Sequence, residues 1–185
     1  MHRHSSVRMK IDELYKKILK GIEAGGRGLL RYSPEELEEI SLALEKSTDP
    51  KELEKLLCLV EHSASLYAPF EKSLLKILQL DLPDHLKIFA LNCARKHIMQ
   101  ARAQKGHRLD FEFLEILKKL LYSKNPEVVE WTLRTIEECG NQGVYFLKEF
   151  DKIKPAPWKW FNAHQRAVRE IIAMLERRWS RFERS

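Results

Sequence analysis

The chain predicts an all-α fold, an irregular α-solenoid or right-handed superhelix of eight or nine helices in antiparallel pairs, and three features of its 185 residues carry that prediction. Helix starts recur at Ser33-Pro34-Glu35-Glu36, Asp49-Pro50-Lys51-Glu52, Leu82-Pro83-Asp84-His85 and Asn125-Pro126-Glu127-Val128. Proline suits a first helical turn, where its missing N–H has no intrahelical partner to lose, and a preceding Ser, Asp or Asn accepts from the orphan donors. Apolar residues return at intervals of three and four, the spacing that gathers them on one helical face. The breaks between these runs span about two to eight residues, short enough to turn one helix back beside the next.

The first helix is expected from Val7 to Ala24, with Ile11, Leu14, Ile18, Leu19 and Ile22 inward and Gly25-Gly26-Arg27-Gly28 as its stop. Residues 1–8 are expected to be disordered. The second helix begins at the Ser33 cap, with Glu36 three residues on completing a capping box, and turns Leu37, Ile40 and Leu44 inward. Asp49-Pro50 opens a third that buries Leu53, Leu56, Leu57 and Val60, and a fourth follows Pro69 with Phe70, Leu74, Ile77 and Leu78 as its stripe. A fifth runs from Pro83 to about Ala103, with Leu86, Phe89, Ala90, Cys93 and His97 on one face, until Lys105-Gly106-His107-Arg108 interrupts it. The sixth covers Leu109 to Tyr122 and the seventh runs from Pro126 to Gly140. Val144 to Ile153 is read as a short helix, although Val144-Tyr145-Phe146-Leu147 alone also suits a strand. After the break at Pro155-Ala156-Pro157, a last helix from about Phe161 to Phe182 sets Val168, Ile171, Ile172, Leu175, Trp179 and Phe182 on an apolar seam.

A chain of this length suits one domain over residues 1–185, with residues 155–185 as a C-terminal capping helix region. It carries 44% hydrophobic and 32% charged residues and a net charge of +6. Basic stretches (1–32, 81–124, 155–185) alternate with acidic ones (33–80, 125–154), a pattern that argues against a uniformly nucleic-acid-coated surface and leaves room for a local basic face. No apolar run approaches the roughly 18 residues of a membrane span, and the basic N-terminus lacks the apolar core of a secretory signal, so the cytoplasm is expected. Cys58, Cys93 and Cys139 form no C-x-x-C pair and no zinc spacing, and each is read as a small core residue. Phosphate loops, dinucleotide fingerprints, nucleophile elbows and H-E-x-x-H are all missing, so no catalytic residue, cofactor or metal is predicted.

The stretch from Asn125 to Gly140, a capped proline start followed by an apolar helix ending at glycine, resembles the second half of a HEAT or armadillo-type repeat. Asp49 to Val60 and Leu82 to Ala94 are looser copies, and spacings of 33 residues between Pro50 and Pro83 and 43 between Pro83 and Pro126 fall in the range of helical-pair repeats. Bulky Trp131 departs from the small residues such repeats use at close contacts. The resemblance implies an α-solenoid offering an extended surface to another macromolecule. Some HEAT-type alkylation-repair DNA glycosylases use an acidic residue and tryptophans in a basic groove, and the group Glu130, Trp131 and Arg134 matches them in residue types alone.

Two interruptions of the capped pattern mark candidate sites. Trp158-Lys159-Trp160-Phe161, followed by a helix bearing Arg166, Arg169, Arg177, Arg178, Arg181 and Arg184, has the aromatic and cationic content of a docking surface, although a capping helix explains the same residues. Trp158, Trp160, Arg166 and Arg169 are the residues expected to bind a partner, in a non-enzymatic scaffold or adaptor whose partner is a protein. The alternative is nucleic-acid binding through Arg95, Lys96, Arg102, Lys105 and Arg108, which cluster in sequence at a helix end where cations also serve the macrodipole.

Overall fold

The computed structural model describes residues 2–26, 28–156, 158 and 161–180, with side chains from residue 10 onward, and over them the chain is all-α. It divides into two compact units, Met1–Ala101 and Arg102–Ser185.

In the first unit, α1 (His2–Glu23) takes in residues 2–8, where disorder is expected. Extending an existing helix fixes one residue per added hydrogen bond, far cheaper than nucleating a new one. The helix stops at Gly25, whose φ of 77° suits glycine, as the Gly26 N–H bonds Gly21 O and the Gly25 N–H bonds Ile22 O, each at 2.9 Å. Ile11, Leu14 and Ile18 are buried as expected, whereas Leu19 and Ile22 are exposed. The buried stripe of α1 is a single row against α3, too narrow to take in the two residues on its flank.

Ser33 and Glu36 form the full capping box of α2 (Pro34–Lys46), and Asp49 caps α3 (Pro50–Glu61). α3 buries every residue from Leu56 to Val60 because α1, α2 and α5 (Asp84–Ala94) pack around it. α4 (Phe70–Gln79) packs on α2 and α5. α5 continues into a π turn, Arg95–Gln100, whose His97, Ile98 and Met99 are buried in succession. The extended residue Leu30 clips onto the loop after α3, its N–H on His62 O at 2.9 Å and its carbonyl accepting from Ala64 N at 2.7 Å.

α6 (Ala101–Gln104) follows the π turn without a break. With α5, the π turn and α6 counted as one, nine helices are present among the described residues. In the second unit α7 (Phe111–Leu120) packs on α8 (Pro126–Glu137), which is capped by Asn125, and α8 packs most extensively on α10 (Ala163–Trp179). Residues 144–153 are helical rather than a strand: a 3₁₀ turn, Gly140–Phe146, leads into α9 (Leu147–Ile153). Val168, Ile171, Ile172, Leu175 and Trp179 form the buried seam of α10, and Trp179 stacks on Phe150 with ring centroids 6.3 Å apart. Gly143 lies against the Trp179 indole so closely that a Cβ there would overlap the ring.

Candidate interaction surface

The entry to α10 is set by Asn162, whose side chain accepts from the Gln165 N–H at 3.0 Å. Just before this cap, Trp158 is 75% exposed and Phe161 94% exposed. Large aromatics usually bury most of their surface, and here two lie close together in solvent. With Val168, Ile172 and Trp179 fixing the buried seam, Arg166 and Arg169 face outward and are exposed, without an ion pair among the described residues. The farther arginines are engaged: Arg178 pairs with Glu137 at 2.9 Å, and Arg177 Nε donates to Ala173 O at 3.2 Å. Trp160, together with Lys159, Arg181, Phe182 and Arg184, lies outside the described residues.

The cations of the alternative site fall in both units, Arg95 and Lys96 in the first and Arg102, Lys105 and Arg108 in the second. Lys96 donates to Glu61 O at 2.9 Å and to Ser63 O, tying the end of α3 to the loop beyond it. Burial lowers its pKa. Arg102 forks onto Asp110, with 2.9 Å from Nη1 to Oδ1, and also donates to Arg108 O at 3.2 Å, closing the 102–110 loop on itself. Lys96 and Arg102 are thus committed to internal partners, Arg95 is half-buried and not free, and Lys105 and Arg108 are exposed.

The group Glu130, Trp131 and Arg134 is assembled in space, and a fourth residue joins it. Glu130 accepts from Arg134 Nε at 3.0 Å and Nη2 at 2.6 Å, and from His164 Nδ1 at 2.8 Å. Arg134 lies over the Trp131 ring at 5.8 Å. Burial raises the Glu130 carboxyl, but the bonds from His164 and Arg134 outweigh it and hold the group below its ordinary pKa. With bonds on both oxygens, this carboxylate ties α8 to α10.

His97 is a core residue. It is fully buried, its Nδ1 accepting from the Tyr67 N–H at 3.2 Å while Nε2–H donates to Val60 O at 2.9 Å. Acceptance at Nδ1 requires the neutral ring, and desolvation, outweighing the bond to Val60 O, pushes its pKa from 6.5 down to about 4. The three cysteines are buried and free, and desolvation raises each thiol, Cys58 to about 11 and Cys139 to about 12. Among the described residues no group of three or more His, Cys, Asp or Glu is placed to hold a metal ion, and no helix is long and apolar enough to cross a membrane.

No protein-family model, curated protein or solved structure matches this chain. The likeness of residues 125–140 to a HEAT or armadillo repeat therefore rests on the sequence pattern.

Residues 121–124, Pro126, Val129, 152–156 and Gln165 and Val168 at the start of α10 line an open cleft of about 360 Å³ in the second unit. Its members are up to 47 residues apart in sequence, and no local pattern announces it.

Proposed function

We propose that this protein is a non-enzymatic helical-repeat scaffold, HEAT- or armadillo-like in character, that binds another protein through the entry to α10. Trp158, Trp160, Arg166 and Arg169 are the contact residues. The observation that carries this reading is the pair of solvent-facing aromatics, Trp158 and Phe161, followed by two outward arginines with no internal carboxylate partner among the described residues. Tryptophan and arginine dominate binding energy where they occur at interfaces, because each combines a large flat apolar area with a polar handle. Arg166 and Arg169 favour a partner bearing carboxylates near an apolar centre. A photo-crosslinking residue placed at Phe161 tests the reading, with a control at Lys51 in the first unit. A discrete protein adduct at position 161, competed by unlabelled protein and missing at position 51, is the expected result. Equal labelling from both positions rejects it.

A further inference from the structure

We propose that the cleft between the α7–α8 turn, the end of α9 and the start of α10 is a binding site for a small ligand with an apolar stem and a carboxylate head. Pro126, Ile153, Pro155 and Ala156 supply the accessible apolar wall, over the buried Leu121, Val129 and Val168, and every charged residue lining it is a cation: Lys124, Lys152 and Lys154. At about 360 Å³ the cleft falls within the roughly 300–1,000 Å³ of small-ligand sites, where apolar walls carry the ligand body and a few polar groups orient it.

The lysines are available to a ligand for separate reasons. Lys124 is exposed and has no ion pair among the described residues. Lys152 donates to Glu149 at 3.0 Å, but Glu149 also receives the Tyr122 hydroxyl and has Lys118 at 3.5 Å, so turning Lys152 toward a ligand leaves that carboxylate served. Lys154 pairs with Glu176 at 2.9 Å, both side chains one-third exposed, and a pair so wet exchanges readily for another carboxylate. An ammonium has three donors, so each lysine can hold its present partner and a ligand oxygen together. Gln165 adds a neutral side-chain amide to the wall. Pro126 and Val129 place the first turn of α8 at the cleft, where the positive end of the helix dipole adds to the field of the lysines.

The shared chemistry, apolar stem and carboxylate, belongs both to free medium-chain acids and to the C-terminal end of a peptide closing on a leucine-type residue. Four probes separate the contributions: octanoate, octanol, inorganic phosphate and N-acetyl-leucyl-leucine, each titrated into the full chain and followed by amide chemical shifts. Saturable shifts confined to residues 121–129, 152–156 and 165–168 are expected with octanoate or the dipeptide, at least tenfold tighter than octanol and phosphate. The tighter of the two names the source. Lys124→Gln combined with Lys152→Gln is expected to weaken octanoate at least tenfold, and Ala156→Trp, which fills the cleft without changing charge, to abolish it. The proposal is overturned if octanol binds as well as octanoate, if shifts scatter over the surface without saturating, or if the lysine variant binds unchanged with its amide spectrum intact.

Discussion

His97 offers the sharpest physical test of the first unit, since its ring joins the end of α3 to the loop before α4 through two bonds, and the one accepted at Nδ1 is made only by neutral imidazole. Protonating Nδ1 would set N⁺–H against the Tyr67 N–H, in a fully buried site. The folded state therefore binds this proton only near pH 4, whereas the unfolded chain binds it near 6.5. The stabilisation is complete above pH 6.5, declines as the pH falls between 6.5 and 4, and is lost below 4. At about 1.4 kcal/mol per pH unit the whole effect is about 3 kcal/mol, of which about 2 kcal/mol is expected between pH 7 and pH 5. The lowered carboxyls of Glu130 and Glu149 lose their contributions below 4.5, so the pH 7 to 5 window is clear of them. Hydrogen exchange at the Tyr67 amide, corrected for intrinsic rate, measures the effect as an approximately 30-fold fall in protection from pH 7 to pH 5. In His97→Gln, which retains a donor and an acceptor without titrating, protection is expected to be lower at pH 7 and flat to pH 5. Equal pH dependence in both proteins would refute the assignment of His97 as the neutral clamp.

Gly143→Ala forces a methyl group into the Trp179 indole, and because Trp179 is 1% exposed and stacked on Phe150 it has no room to yield, so urea unfolding should show a loss of about 1–3 kcal/mol. In a Trp179→Phe background the same change should cost much less, the coupling being read from a double-mutant cycle. Glu130→Ala removes the tie from α8 to His164 and is expected to cost about 1–3 kcal/mol by the same measurement, with the loss shared by His164→Ala. Cys58, Cys93 and Cys139 are buried with raised thiol pKa values, so a maleimide at pH 7 should label none of them at an appreciable rate until urea unfolds the chain.

Helix starts were legible because their chemistry is local. Ser33, Asp49 and Asn125 each cap the helix they precede through atoms two or three residues away, and nothing distant is needed to specify them. The inward stripes of α2, α3, α4 and α10 were readable for the same reason. Leu19 and Ile22 were misplaced because periodicity identifies a face without telling how much of it a neighbour covers. The π turn at Arg95–Gln100 departs from the 3.6-residue rule on which the pattern depends.

At the candidate sites, residue type was a poorer guide than backbone geometry. Lys96 and Arg102 look like free cations in a basic stretch, yet loop carbonyls and Asp110 engage them. Asn162 is a less legible cap because alanine follows it where proline follows Ser33, Asp49 and Asn125, and the three aromatics Trp158, Trp160 and Phe161 precede it. His164 and Glu130 are 34 residues apart, and the lysines around the cleft come from separate turns; neither association exists before the helices pack.

The central claim, that the entry to α10 is where a protein partner docks, is tested most directly by isothermal titration of a partner captured through the Phe161 crosslink. The comparison is between the parent chain and the triple variant Trp158→Ala, Arg166→Ala and Arg169→Ala. These side chains are exposed, so circular dichroism and unfolding midpoint should stay within error of the parent. If each contributes as an interface hot spot, about 1–2 kcal/mol apiece, affinity falls at least about 100-fold. Unchanged affinity with an intact fold would contradict the account.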